Sequence, residues 1–427
     1  MIMPLSPNPP DYTSCCVVGG GPAGMMLALL LARAGVPVTV LEKHGDFLRD
    51  FRGDTVHPST LQILQELDLL KKFEQLPQRH ERLLSGLIAG HEQPVVDFSG
   101  LRPFDYLALV PQWDFLNLLA DAGRRYQAFD LRMRHKATGL ITENGRMVGV
   151  RVESPEGNHE LRAALVVACD GRHSLMREAA GLPSKDYGAP MDVLWFRLPR
   201  APHDPQGTFG IANDGRLMIL LNRNDYWQTA FVVPKGSDAA LRARPIDGLR
   251  DAVARLALFL SDRKDSIEGW DAVSTLAVQV DRLECWHRPG LLLIGDAAHA
   301  MSPIGGVGIN LAIQDAVAAA NALAAPLREG RRIDETLLAS IQRRREFPVR
   351  VVQRVQLAIQ NRIISRALEA GGGPPRIPWL LRLLLKFRVV RNRPAQLFGY
   401  GIRQEHVRTP CIDQAEVGVD QGVHDQS

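Results

Sequence analysis

Short apolar runs and helically spaced apolar positions alternate along the first third of this chain. Residues 14–18 form a compact apolar run, residues 22–34 keep apolar side chains at helical spacing, and residues 36–41 form a second run that ends in Glu42. Runs of four to eight apolar residues read as buried strands, and longer periodic stretches read as helices. The opening therefore predicts strand, glycine turn, helix and strand, a βαβ unit. Further on, Leu61, Leu64, Leu67 and Leu70 predict a helix over 60–73, and Leu116 and Leu119 mark one face of another over 113–126. Residues 81–104 are strand-like and rich in turns. Residues 148–152 and 161–168 read as strands around a Glu156-Gly157 turn.

The pattern changes in the middle of the chain. From 191 to 233 apolar and polar positions alternate (Val193 and Trp195, Phe209 and Ile211, Met218 and Leu220, Thr229 and Phe231), with turns at Asn213-Asp214-Gly215 and over 222–225. Period-two alternation broken by such turns predicts an antiparallel sheet. A helix over 250–260, an apolar strand over 290–294 and an Ala-rich helix over 310–325 follow, then basic helices, a Gly/Pro break at 371–375 and a polar tail. The fold class expected is α/β, a Rossmann-like nucleotide-binding domain with an inserted, mainly antiparallel sheet domain and C-terminal helices.

At 427 residues the chain exceeds what one core usually serves, so two interleaved domains are expected. A hydrophobic content of 45% and a charged content of 23% suit a globular enzyme, and a net charge of +4 is too small to demand a nucleic-acid partner. The segment 1–10 is Pro-rich, without the basic and apolar stretches of a leader, and no uninterrupted apolar run approaches the roughly 20 residues of a membrane span. The five cysteines (Cys15, Cys16, Cys169, Cys285, Cys411) have neither metal-ligand nor disulfide spacing. A reduced, cytoplasmic protein without a metal centre is the expectation.

Gly19-Gly20-Gly21-Pro22-Ala23-Gly24 links the first strand to the first helix. In such a turn Gly19 permits the tight bend, Gly21 lets the backbone approach a pyrophosphate, and Gly24 lets the helix pack close to the strand. The helix N-terminus, with Pro22 and Ala23 in its first turn, then offers free N–H groups and a positive dipole end to the phosphates. Glu42, followed by Lys43, ends the next strand where a ribose would meet a carboxylate. Alone, the turn admits any dinucleotide.

Two later motifs narrow the choice. Cys169-Asp170-Gly171-Arg172-His173-Ser174 with Arg177, and Gly295-Asp296-Ala297-Ala298-His299 with Pro303, each place a carboxylate after an apolar strand. With the glycine turn, and in the same order, they resemble the DG and GD motifs of the single-component (class A) flavoprotein monooxygenases of the para-hydroxybenzoate hydroxylase fold. The resemblance spans roughly residues 14–325. It implies that Asp170 serves FAD and pyridine nucleotide, that Gly295 and Asp296 meet the ribitol of FAD, and that Pro303 borders the reacting region. The loop with Gly306, Gly308, Ile309 and Asn310 would present a helix N-terminus to the flavin ring. Arg52 would lie near flavin or nicotinamide, and Gln112 near the ribityl–phosphate region. His299 is expected to fix its own loop, and His57 is given no role.

The resemblance further implies the reaction. NADPH or NADH, visiting transiently because there is a single dinucleotide fingerprint, reduces FAD. Oxygen then forms a C4a-hydroperoxide that hydroxylates an electron-rich substrate. No catalytic side chain is assigned, since the chemistry is the flavin's. A hydrophobic aromatic or polyketide-like substrate is expected between the flavin and the inserted sheet, with Trp195, Phe196, Phe209, Met218 and Phe231 as candidate lining, although each taken singly more readily fills the sheet's own core. An epoxidase or other FAD oxidoreductase is the alternative, and a non-catalytic carrier of the same fold is the reading from another class. A halogenase is disfavoured because 195–199 carries one Trp only. FAD-binding residues are expected over 1–80, 105–190 and 281–345, a substrate-binding sheet over 81–104 and 191–280, and a C-terminal helical region with its tail over 346–427. A basic amphipathic helix over 377–390 suggests either peripheral membrane contact or packing on the protein, including a homodimer.

Overall fold

The computed structural model describes residues 11–48, 55–88, 91–213, 215–365 and 388–412. At its centre lies an eight-stranded sheet. Five strands run parallel in the order Leu291–Leu293, Gly157–Ala168, Asp11–Val18, Val38–Glu42 and Phe129–Met133. His287–Arg288 adds an antiparallel edge, and Lys136–Glu143 and Arg146–Ser154 form a meander leading into Gly157–Ala168. Residues 15–18 are buried on both faces, which is why they read as an unbroken apolar run rather than an alternating one. Cys15 and Val17 face a layer containing helices Pro22–Arg33, Gln112–Gly123 and Gly308–Arg328; Cys16 and Val18 face the meander side. Burial pushes the Cys15 thiol up to about 12, so it behaves as a small apolar side chain.

A second sheet of seven strands has the order Ser274–Leu276, Met191–Pro199, Tyr226–Pro234, Arg216–Asn222, Phe209–Asn213, Leu83–Ile88 and His91–Asp97. Every pair is antiparallel except Phe209–Asn213 with Leu83–Ile88. One face packs on Leu249, Val253 and Leu256 of helix Asp247–Leu256. The other packs on Ile304 and on Leu357 and Ile364 near the end of the long helix Glu335–Ile359.

Several elements differ from the sequence expectation. The helix expected over 60–73 is two, Pro58–Glu66 and Leu70–Phe73, because Asp68 takes a left-handed conformation (φ 56°) that breaks the helix while Leu67 and Leu69 stay in the core. The helix expected over 250–260 ends at Leu256 and continues as the 3-10 segment Leu258–Ser266. Helix Gly308–Arg328 is longer than expected and, with the turn before it, is long and apolar enough to span a bilayer. It is a core helix all the same, since most of its apolar stretch is buried within the protein. Helix Glu335–Ile359 runs unbroken across the boundary expected at 345/346. It holds Pro348, which cannot donate to the carbonyl of Arg344; Arg403 Nη1 reaches that oxygen instead at 3.5 Å.

Candidate functional site

The carboxyl ends of four neighbouring parallel strands stand in register. Val18 pairs with Leu41 on one side and Ala168 on the other, and Ala168 pairs in turn with Leu293. Gly19, Glu42, Cys169-Asp170 and Ile294-Gly295-Asp296 are the residues that leave these strands. Backbone bonds fix their exits: Gly19 N donates to Leu41 O (2.8 Å), Cys169 N to Val18 O (2.7 Å) and Ile294 N to Ala168 O (3.1 Å). With strands about 4.8 Å apart, the four ends span about 14 Å. Three motifs separated by up to 276 positions in sequence therefore form one row, at the strand edge where open α/β sheets bind ligands.

Around this row the glycines divide into two kinds. Gly19 has φ 104°, and a Cβ there would lie 2.5 Å from Cys169 O; a Cβ on Gly24 would lie 2.0 Å from Gly19 O. These two are required by packing. Around Gly21, by contrast, none of the described residues stands within 4 Å of where a Cβ would project. Helix Pro22–Arg33 starts from Gly21 with no side-chain cap and no acidic residue in its first turn. Helix Gly308–Arg328 starts in the same way from Val307, again with open space at Gly308. The starts of both helices pack on Gly295 (φ 61°), whose Cβ would touch Ala23, in the first turn of one, at 3.3 Å and Ala312, entering the second turn of the other, at 3.2 Å. Helix starts leave N–H groups without intrahelical partners. Two such uncapped starts meeting at one row of strand ends fit the phosphates and the electron-rich ring of one dinucleotide.

The carboxylates play distinct local parts. Glu42, almost wholly buried, accepts from Gly20 N through Oε2 (3.0 Å) and from His44 N through Oε1 (2.9 Å), tying the glycine turn to the second strand. Lys43 beside it is exposed. Asp170 accepts from Ser174 Oγ (2.5 Å) and Met176 N (3.1 Å), so its carboxylate closes the turn into helix Leu175–Ala179. Burial raises its pKa. Asp296 stays one-third exposed, with Arg172 Nη2 at 3.5 Å linking the second motif to the third.

Pro303 starts a 3-10 turn, Ile304–Gly306, in which Gly305 and Gly306 take left-handed conformations (φ 79° and 62°). His57 Nε2 lies 3.1 Å from Gly306 O, and burial lowers that histidine to about 4, so it is neutral and donates to the carbonyl. Ser59 and Thr60 donate to Asn310 Oδ1 at 2.6 and 2.8 Å. Ile309 is half-buried beside it. His299 Nε2 meets Asp315 Oδ2 at 2.6 Å, Gly295 N donates to the same oxygen (3.2 Å), and Arg345 Nε donates to Asp315 Oδ1 (2.9 Å). Arg345 Nη1 also lies 3.4 Å from Glu405 Oε1, so these four buried ionisable groups anchor the Gly295 turn and the segment 400–412 together. Burial pushes the Asp315 carboxyl up, but His299 and Arg345 outweigh it and leave it below the usual range.

Helix Glu335–Ile359 and the π-helical turn after it carry a further set that the sequence reading missed. Gln342, Gln353, Gln356 and Gln360 lie at separations close to whole multiples of 3.6, hence on one helix face, and all are buried. Gln342 Nε2 donates to Glu284 O, Gln353 Nε2 to Asp281 O and Ala300 O, and Gln360 Nε2 to Gly188 O. Gln356 Nε2 donates to Ser302 O (2.9 Å) and Ile304 O (2.7 Å). A polar stripe on an otherwise buried helix face was the available signal.

The candidate lining residues separate by face. Phe196, Phe209, Met218 and Phe231 point into the core under helix Asp247–Leu256, away from the Pro303 turn, so they are corrected to structural residues. Alternation puts only Trp195 on the opposite face, in the layer with Ile304. Gln112 is the half-buried first residue of helix Gln112–Gly123. Arg52 lies outside the described residues, as does the segment 377–390 apart from 388–390, which open helix Arg388–Gly399.

Comparison with known proteins gives a consistent picture. Residues 12–355 match the FAD binding domain family model. The chain is 31% identical to 6-methylpretetramide 4-monooxygenase of Streptomyces rimosus, covering 96% of this chain and 98% of the relative. It is 26% identical to para-nitrophenol 4-monooxygenase of a Pseudomonas strain, covering 78% and 82%. Among solved structures, the OxyS anhydrotetracycline hydroxylase of Streptomyces rimosus superposes with a TM-score of 0.71 at 24% identity, over 91% of this chain and 76% of that one.

Proposed function

Because this chain belongs to the family of class A, single-component FAD-dependent aromatic monooxygenases, we propose that it hydroxylates a polyketide-like aromatic small molecule at the face of the second sheet that carries Trp195. It is a flavoprotein monooxygenase with FAD as its cofactor. The overall change consumes NAD(P)H, one proton and O2; one oxygen atom enters the substrate and the other leaves as water. When bound, FAD supplies the electron transfer and the oxygen activation.

The protein's own contribution is to bind, orient and exclude water. In this reading the pyrophosphate rests on the N-terminus of helix Pro22–Arg33, through Gly19, Gly21, Pro22, Ala23 and Gly24. Glu42, at the end of the second strand and bonded to the backbone of the glycine turn, would meet a ribose, with Lys43 alongside. Gly295 and Asp296 serve the ribitol. Gly306, Gly308, Ile309 and Asn310 set the second helix start at the ring. Asp170 acts at one remove, by closing the turn that carries Gly171 and Arg172. Arg52 and Gln112 complete the set by resemblance. Substrate would lie between Pro303 and the Trp195 face, with residues 81–104 and 191–280 forming most of its site.

The observation that carries the reading is the convergence of two uncapped helix starts on Gly295, at the end of a row of four strand termini. The substrate class rests on the relatives, whose names specify a pretetramide and a nitrophenol. The test is NADH and NADPH oxidation by purified holoenzyme, screened across tetracyclic polyketides and simple phenols, with product mass read in parallel. A product heavier by one oxygen atom supports the proposal. Oxidation that no compound converts into such a product overturns it.

A further inference from the structure

We propose that Gln356 is a positioning residue that holds the Pro303 turn in place and thereby sets how much of the NAD(P)H consumed ends in hydroxylated product. The inference rests on the functional reading above. It stands geometrically on one side-chain amide, which gives its two hydrogens to the carbonyls on either side of Pro303, at 2.9 Å to Ser302 O and 2.7 Å to Ile304 O.

Gln356 is wholly buried, and its Oε1 has no hydrogen-bond partner among the described residues. A buried acceptor left unpaired is costly, yet the opposite amide orientation would set Oε1 against two carbonyl oxygens. The chemistry of the turn therefore fixes which end points inward. The rest of the turn is held independently. Gly306 N donates to Pro303 O (3.0 Å), and His57 holds Gly306 O from the other side. Carbonyls 302, 303, 304 and 306 are thus all engaged, and the side chains engaging them come from helix Glu335–Ile359 and from His57 at the start of helix Pro58–Glu66. Small displacements of a reacting partner cost rate steeply, so a turn that must stand against the substrate needs this fixing more than a remote turn does. Gln342 provides the comparison. It makes the same kind of bond, Nε2 to Glu284 O with Oε1 accepting from Trp286 N, away from the Pro303 turn.

The test compares Gln356→Met, Gln356→Asn and Gln342→Met with the parent holoenzyme and apoprotein. In the apoprotein, hydrogen exchange of amides 304–308 is expected to quicken by about five-fold or more in Gln356→Met, less in Gln356→Asn, and not in Gln342→Met. In the holoenzyme, with an accepted substrate, product per NAD(P)H is expected to fall by about five-fold in Gln356→Met, with hydrogen peroxide making up the difference and FAD retained. Equal loss of coupling in Gln342→Met, or parental exchange and coupling in Gln356→Met, overturns the proposal. If Gln356→Met does not fold, Gln356→Asn carries the same readouts. If the parent oxygenates nothing, the functional reading fails, while the exchange data still decide whether Gln356 holds the turn.

Discussion

At the scale of single residues, the glycines of the first turn separate packing from ligand. Gly24→Ala sets a methyl group where Gly19 O stands, so it is expected to lose about 1–3 kcal/mol of stability in urea unfolding. Gly21→Ala meets no atom of the described residues, so its unfolding midpoint should match the parent while FAD retention falls, read from the flavin absorbance of protein purified through a desalting column. Equal FAD retention in Gly21→Ala and the parent would remove the pyrophosphate from that helix start. His57 offers a second residue-level test. It is buried, donates to Gly306 O and has its pKa lowered from 6.5 to about 4. Between those values the unfolded chain binds the proton and the folded chain does not. Stability is therefore whole above pH 6.5 and declines as pH falls toward 4, by up to roughly 3 kcal/mol. Comparing His57→Gln with the parent in urea melts from pH 4.5 to 7 should show the shallower slope in the variant; parallel slopes would mean that folding leaves the His57 pKa unshifted.

At the scale of elements, the strand–turn–helix–strand opening was legible because fully buried parallel strands leave unbroken apolar runs and glycine turns leave a spacing. The two-faced sheet is legible as alternation, but alternation does not say which face meets the ligand; Phe196, Phe209, Met218 and Phe231 therefore stand in the sequence as candidate lining or core alike, and the structure places them in the core. The break at Asp68 was invisible because the leucines keep their helical spacing through it. The long C-terminal helix hid its function most completely. Its glutamines and Arg345 bond to backbone and side chains 30 to 172 positions away, contacts that no local pattern encodes. Arg345 joins helix Glu335–Ile359 to Asp315 of helix Gly308–Arg328 and to Glu405, with all three groups buried. Arg345→Met is expected to cost about 3 kcal/mol, because it removes the guanidinium that bridges two enclosed carboxylates and leaves Asp315 only His299 and Glu405 only Arg344, whose Nε lies 2.7 Å from Glu405 Oε1. Proteolysis should then cut within 400–412 before the rest of the chain; a variant as stable and as resistant as the parent would show that His299 and Arg344 suffice.

At the scale of the whole molecule, the proposed function has the second sheet divide stability from recognition by its two faces. Phe196 and Trp195 are neighbours in sequence, yet one is enclosed under helix Asp247–Leu256 and the other lies in the layer with Ile304. Trp195 pairs across the sheet with Ala230 and Ser274, so its indole stands among small side chains. Its Nε1–H is buried and meets no acceptor among the described residues. An unmet donor carries a penalty of about 1–3 kcal/mol, which an acceptor brought by substrate would relieve. Trp195→Phe keeps the apolar body and removes only the donor. It should leave the urea midpoint at or above the parental value while raising KM for an oxygenated aromatic substrate by about ten-fold. Phe196→Leu should do the reverse, losing about 1 kcal/mol of stability at an unchanged KM. The pair is decisive together: if both variants move KM, or both move stability alone, the two faces do not have separate tasks and the substrate does not meet the sheet at Trp195.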